Sequence, residues 1–506
     1  MCEWDKTLMG PIRDECGVEQ GGVNSSEFYK VYNNGQLNLA QSSKFGIEIG
    51  PVTISSIGQA DDVALVADDL HALQGLLDLS LYFCKKKHIL LNTAKTKLQV
   101  FSSKKLDDLA YFCKKAKEVK IAENVIDFVE EAEHVGIVRS VKGNLPHLQS
   151  RITAHKKQLG SILPVGLAKG NRANPEAVLR AHQIYCLPVL LSGTAALVLK
   201  TSEVELLDQY LKETLVKLQK LSPRTPPCVT YFLAGHMPAT AILHIRQLTL
   251  FGMVCHQKHS VLYNILLHQM YTAGLNSGSW VMKIRDLCIQ YDLPPPISLL
   301  LQPLPKLHYK SLVKSSVLCY WQVKLRARAA SLDSLRYFQP DYMSLVKPHP
   351  IWTSCNSNPY EVNKAIVQAR MLSGRYPTDK MRRHWTQNKA GLCILQGCSG
   401  ESLGSLEHLL LSCPALQPSR QISIHFLLSV AHEYPIVKDV VMDILCTTDT
   451  RLVMQFLLDC SALPTVISLV QMHGTQVLQR LFSATRNWCY SLHRKRMTIL
   501  GLYQYR

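Results

Sequence analysis

The sequence predicts an α+β protein, and three observations predict it. Residues 1–142 alternate short apolar runs with turn signals, whereas from Gly143 onward apolar residues recur at helical spacing. Three cysteines and a histidine gather between residues 393 and 413, as in a small metal-bound segment. At 506 residues the chain has room for about three domains. Its 47% hydrophobic and 19% charged content excludes a largely disordered chain.

The elements follow in order. PVTISSIGQADDVALVADD reads as strand, tight turn, strand, with Val52, Ile54 and Ile57 on one arm and Val63, Leu65 and Val66 on the other. Leu73, Leu76, Leu77 and Leu81 then predict a helix from about His71 to Lys87. NTAKTKLQVF leads into a further short strand. Val204, Leu207, Leu211, Leu215 and Leu218 form a helical stripe ended by Ser222-Pro223, and Ile242, Ile245 and Leu248 suggest another. The prolines from Pro294 to Pro305 mark a linker or seam. The expected divisions are therefore 1–142, 143–293, 294–392, 393–414 and 415–506.

Charge and cysteine usage narrow the partners. The 56 Lys+Arg against 38 Asp+Glu give +18, which favours a polyanion, nucleic acid before an acidic membrane. The charged opening MCEWDKTLMGPIRDE lacks a signal-peptide core. The most apolar stretch, Ile184 to Leu199, is short and broken by Pro188 and Gly193, so it reads as a buried helix or turn and not as a membrane span. An intracellular protein, nuclear or cytoplasmic, is expected, with its 16 cysteines mostly reduced and in the core.

Two turns carry chemistry. Asp61 and Asp62 fall at the tip of the first hairpin, where carboxylates stand clear of the backbone as Mg²⁺ ligands must. An aspartate-rich turn is equally the chemistry of a solvated loop. Upstream, Gln20-Gly21-Gly22 precedes a helix expected to start near Asn24 or Ser25, with Ser25 and Ser26 as candidate caps.

In their order these segments resemble non-LTR (LINE-type) retrotransposon reverse transcriptases. Gln20, Gly21, Gly22, Ser25, Phe28 and Tyr32 fall on that family's glutamine–glycine motif, Asp61 and Asp62 on its paired-aspartate motif, and Asn92, Lys95, Thr96 and Lys97 on its lysine motif. Val135-Gly136-Ile137 is similar to its primer grip. LRAHQIYCLPVLLSGTAALVL and SPRTPPCVTYFLAGHMPATAILHIRQLTLF are similar to its post-palm region. The resemblance implies a partial polymerase palm, a mainly α-helical thumb or connection region, and a zinc-knuckle-like segment. It implies that Asp61 ligates Mg²⁺ beside Asp62, that Lys95 or Lys97 meets the incoming phosphates, and that Gln20, Gly21, Gly22 and Ser25 approach an RNA or DNA template-primer. As a plain reading, those lysines belong to a solvated face that also includes Lys85 to Lys87.

The pattern is incomplete. The family's palm has an earlier strand bearing another catalytic aspartate, and neither Asp5 nor Asp14 matches it; Gln59 stands where the family has an aromatic residue. A two-metal site without that carboxylate could not clamp both reacting oxygens. The expectation is a reverse transcriptase segment truncated within the palm and inactive as a polymerase alone. The alternative is a non-catalytic nucleic-acid-binding remnant.

Cys393, Cys398, His408 and Cys413 supply three thiolates and an imidazole, a donor set suited to tetrahedral Zn²⁺ in a structural role. The family carries a similar knuckle after its polymerase, although here Glu407 directly precedes His408 and the first gap is Cys-x4-Cys. The basic end, with Arg486, His493, Arg494, Lys495 and Arg496 among Trp488, Tyr490 and Tyr503, reads as a phosphate-contacting tail or as a helix with a cationic face.

Overall fold

The computed structural model describes residues 2–4, 7–9, 22–101, 114–115, 118–162, 173–274, 277–355, 358–383, 388–432 and 435–502. Its strands are short. β1 (Cys2–Trp4) pairs with β2 (Thr7–Met9), β3 (Ile47–Ile49) with β4 (Val52–Ile54), and β5 (Ser56–Gln59) with β6 (Asp62–Leu65), all antiparallel. Helix α1 (Ser25–Ser42) precedes β3, and α2 (Leu70–Lys86) follows β6. β7 (Lys97–Leu98) runs parallel to β10 (Asp127–Phe128). β8 (Lys120–Ile121) and β9 (Asn124–Val125) form one hairpin, β11 (Glu131–His134) and β12 (Ile137–Ser140) another.

Among the described residues, the regular elements after β12 are helices. The chain runs through α3 (Leu145–Ile162), α4 (Pro175–Ala181), α5 (Leu187–Leu190), α6 (Thr201–Leu218), α7 (Pro227–Ala234), α8 (Ala239–Cys255), α9 (Val261–Thr272) and α10 (Trp280–Gln290). It continues with α11 (Pro296–Leu301), α12 (Lys306–Ala330), α13 (Pro350–Thr353), α14 (Pro359–Leu372) and α15 (Asp379–Arg382). It ends with α16 (Gln417–His432), α17 (Pro435–Cys446), α18 (Thr450–Leu458), α19 (Pro464–His473) and α20 (Thr475–Ile499). Few short strands beside many helices fit the expected α+β class. The 294–305 stretch holds a helix, because Pro296 at its start needs no N–H partner and Leu299 and Leu300 are buried.

Contacts divide the chain into two units: residues 1–150, 253–285 and 296–303, and residues 151–252, 286–295 and 304–506. The first is built around α2. Asp69 caps it by accepting from the Ala72 N–H at 2.7 Å. Its Leu77 joins Leu98, Val119, Ile121 and Ile126 in a core that half-buried Leu65, Leu73, Leu81 and Phe128 extend. Helix α1 lies against α2 where Gly35 faces the Phe83 ring; a Cβ there would fall 2.7 Å from it. Two expectations need correction. The cap position of α1 is Asn24, which makes no side-chain bond, and Ser25 is the first helical residue. Val52 and Ile54 pair back onto β3, so the aspartate hairpin begins only at Ser56.

The second unit is organised by α20. Its Leu481, Phe482, Trp488, Cys489 and Leu492 are buried among α14, α16, α18 and α19. This overturns the expectation of a phosphate-contacting tail at Arg486, Arg496, Trp488 and Tyr490, all of which are buried. Arg486 donates to the Ser354 carbonyl at 3.1 Å, and Arg496 donates to the Pro377 carbonyl at 2.8 Å and to Asp379 at 3.1 Å. Trp488 Nε1 donates to the Leu410 carbonyl at 3.3 Å. A buried guanidinium needs internal acceptors, and these bonds meet part of that need, the Nε of each arginine having no hydrogen-bond partner. Tyr503 lies outside the described residues.

The expected stripe on α6 is present, with Leu207, Leu211, Leu215 and Leu218 buried. The described cysteines are free, and most are buried. No single described helix is long and apolar enough to cross a membrane; α7 and α8 pass that test only when joined, and they meet at 63°.

Candidate metal centre

The four predicted zinc ligands come from two short pieces of backbone. Cys393 and Cys398 sit on a loop whose first leg is held flat: Leu392 bridges Leu403, and the Cys393 N–H donates to the Ser402 carbonyl at 2.9 Å. Gly397 and Gly400 turn that loop with φ of +90° and +74°, a backbone that glycine alone adopts at no steric cost. His408 and Cys413 bracket a π-helical turn, His408–Ser412, closed by the Cys413 N–H donating to the His408 carbonyl at 2.7 Å.

Together these place the three Sγ atoms and one imidazole nitrogen within 4.8 Å of one another. Cys393 Sγ and Cys413 Sγ are 3.9 Å apart, and Cys398 Sγ is 3.6 Å from His408 Nε2. Bond lengths of about 2.3 Å to sulfur and 2.0–2.1 Å to nitrogen give tetrahedral edges of about 3.8 Å (S–S) and 3.5 Å (S–N). The donor set and its spacing therefore fit a tetrahedral metal ion.

Backbone N–H groups point at the three sulfurs, and a hydroxyl fixes the histidine. Cys393, Cys398 and Cys413 each receive a backbone N–H from the residue two positions on: Leu395, Gly400 and Ala415. Burial still drives the Cys393 thiol up to about 12 and raises Cys413. At the more open Cys398 burial also pushes upward, but the Gly400 N–H and the neighbouring thiols outweigh it and the thiol lies below its ordinary value. Burial and the Arg420 charge lower His408, leaving it neutral as a ligand must be. Its Nδ1 lies 3.3 Å from Ser412 Oγ, which orients the ring with Nε2 towards the sulfurs.

Sequence reasoning missed the residues that hold this frame. Buried Arg420 donates to the Leu410 carbonyl at 3.1 Å and the Cys413 carbonyl at 2.9 Å, satisfying the end of the π-turn. Asp379 packs on Gly404 behind the loop, and the Lys380 N–H donates to the Gly404 carbonyl at 3.0 Å. Only the position of Arg420 on the inner stripe of α16 could have signalled its role. Glu407 turns away from the cluster and bonds Tyr337 and Arg336.

The palm-like residues are placed differently. Asp61 and Asp62 are exposed at the tip of the β5–β6 hairpin, where Ala60 takes φ +54° in the two-residue turn. Burial and then the Asp61 charge raise the Tyr29 hydroxyl on α1. Among the described residues the Cys/His cluster is the one group of three or more such side chains that converges on a point, so no third group joins the aspartates there. Lys95 is exposed in a turn in which Asn92 Oδ1 accepts its N–H at 3.1 Å. Lys97 is paired with Asp127 at 2.7 Å across β7 and β10. Gly22 accepts the Ser25 N–H at 3.2 Å, while Gln20 and Gly21 lie outside the described residues. Val135 and Gly136 form the tip of the β11–β12 hairpin, both at positive φ.

No protein-family model matches this chain, and no curated protein matches its sequence.

Proposed function

We propose that this chain is part of a LINE-type reverse transcriptase that binds an RNA or DNA template-primer, and that these 506 residues alone do not polymerise. Support comes chiefly from the β5–β6 hairpin, which sets Asp61 in its turn and Asp62 opposite Gln59 at the start of β6, both exposed. In the sequence that hairpin follows the glutamine–glycine segment and precedes the Asn92–Lys97 turn. Two-metal phosphoryl transfer requires further ligands around the same ions, and among the described residues no histidine, cysteine or further carboxylate converges with Asp61 and Asp62. In this reading Asp61 and Asp62 would supply only part of a Mg²⁺ site, and Lys97 pairs with Asp127 at 2.7 Å.

In the same reading Cys393, Cys398, His408 and Cys413 hold Zn²⁺. Four protein ligands leave the ion no open position, so bound zinc would supply cross-linking and not catalysis.

Primer extension and nucleic-acid binding by the purified chain test the proposal. The expected result is salt-sensitive binding of RNA and single-stranded DNA with no extension of a primer in Mg²⁺. Extension that Asp61→Ala abolishes would overturn the inactivity, and binding indifferent to salt would overturn the phosphate contacts.

A further inference from the structure

Helix α12 breaks the electrostatic rules that helices usually obey. Its 25 residues include Lys306, Lys310, Lys314, Lys324, Arg326 and Arg328 and no acidic residue. Two of these cations are engaged internally. Arg326 pairs with Asp341 and donates to the Asp341 carbonyl at 3.0 Å, and the Lys324 ammonium lies 4.6 Å from the centre of the Trp321 ring. Lys306, Lys310 and Lys314 are exposed and have no ion-pair or hydrogen-bond partner among the described residues.

Their spacing makes one ridge. Each step of four residues advances about 6 Å along the helix and turns about 40° around it, so three ammonium groups line about 12 Å. Like charges four residues apart repel, and cations in the first turns oppose the positive end of the helix dipole. Nothing local offsets this, since the first turn holds no acidic residue and Pro305 supplies no capping side chain. Local rules broken without local compensation are the mark of a surface kept for a partner.

We propose that the Lys306–Lys310–Lys314 ridge is the face on which this chain grips the phosphate backbone of a nucleic acid. This rests on the nucleic-acid reading above and assigns its surface. An acidic membrane is the other polyanion, but a membrane-bound helix needs a free apolar stripe. The continuous apolar stripe of α12 is already spent: Tyr309, Val313 and Val317 are buried, a Cβ on Gly252 would fall 2.4 Å from the Tyr309 ring, and the exposed Leu307 and Val323 lie too far apart along the helix to form one. With Arg486 and Arg496 turned inward, α20 offers much less exposed charge than its sequence promised.

The test uses the full chain with Lys306, Lys310 and Lys314 together changed to Gln, beside a control with Lys85, Lys86 and Lys87 changed to Gln. Binding of labelled single-stranded and duplex oligonucleotides is measured by anisotropy across a salt series. The ridge variant should bind about tenfold or more weakly at 0.1 M salt, and its log–log salt slope should fall by about two to three units. Its melting temperature should hold or rise, because the repulsion is gone. An unchanged salt slope, or an equal loss in the control, would overturn the assignment while the wild type still binds. Loss of binding to phosphatidylserine vesicles with nucleic-acid binding intact would overturn it in favour of a membrane. A wild type that binds no nucleic acid removes the underlying reading itself.

Discussion

The Cys413 N–H donates to the His408 carbonyl five residues back, at 2.7 Å. In a regular α-helix the residue at i+5 lies about 140° around the axis from residue i, which would part the two ligands. The wider i→i+5 turn lets Cys413 Sγ and His408 Nε2 face the same point.

The first prediction follows from that turn. The purified chain should carry about one zinc per molecule, and Cys413→Ser should lose it and unfold at lower temperature. Deleting Leu411 keeps all four ligands but shortens the turn, and it should lose zinc equally. Full zinc occupancy in the deletion, read by elemental analysis, would mean that the π-turn does not select the metal.

Arg496 and Asp379 form a buried ion pair at 3.1 Å, with both side chains no more than 2% exposed. Removing one partner of such a pair costs about 3–5 kcal/mol, because the other charge stays buried. Arg496→Met should therefore lose that order of stability in urea unfolding, whereas Arg494→Gln at an exposed position should change it little. Equal effects from the two would show that α20 is not seated as described.

How much was legible in the sequence depended on whether the signal was local. The helix at Leu70–Lys86 was, because Leu73, Leu76, Leu77 and Leu81 repeat at its own period. So were the hairpin tip at Asp61 and the four side chains of the candidate metal cluster, whose residue types and gaps are intrinsic to their chemistry. The role of α20 was not. Its Arg, His and aromatic residues read as a cationic face, yet whether an arginine is solvated or buried depends on distant carbonyls such as those of Ser354 and Pro377. Likewise Val52 and Ile54 fit either neighbouring strand by alternation, and pairing with β3 decided between them.

A third prediction concerns pH. His155 and His182 face each other with Nε2 atoms 3.0 Å apart, and the His236 ring centre lies 6.0 Å from that of His182. Burial lowers His155 to about 4, His182 to about 3 with help from its two histidine neighbours, and His236 to about 4. In the unfolded chain each titrates near about 6.5. As pH falls below that value the unfolded state takes up protons first, so this contribution is whole above about 6.5 and is lost towards 4. The stability gap between wild type and His236→Asn should shrink by about 2 kcal/mol between pH 7.5 and pH 5. Comparing the pair at each pH cancels any shared effect of zinc release. A gap that stays constant would show that His236 is not held neutral by burial.

Helix α15 supports the loop that carries Cys393 and Cys398. A Cβ on Gly404 would fall 2.6 Å from the Asp379 Cβ and 3.0 Å from its Oδ2. Asp379 cannot easily retreat, since Arg496 holds its other oxygen. Gly404 has no positive φ, so any loss in Gly404→Ala comes from this contact and not from backbone strain. Overpacking of this kind costs about 1–3 kcal/mol. It should also push the loop carrying Cys393 outward, because the Gly404 N–H donates to the Gly391 carbonyl at 2.9 Å. Gly400→Ala makes the contrast: nothing lies within 4 Å of its Cβ, but its φ of +74° strains any side-chain-bearing residue. Both variants should lose stability, but by different routes. Transfer of zinc to a chromogenic chelator should quicken in both, and Asp379→Gly, which removes the Cβ that the new methyl strikes, should slow release again only in Gly404→Ala, whatever the lost Arg496 pair costs in global stability. Rescue of neither variant would show that the Asp379 contact does not hold the loop in place.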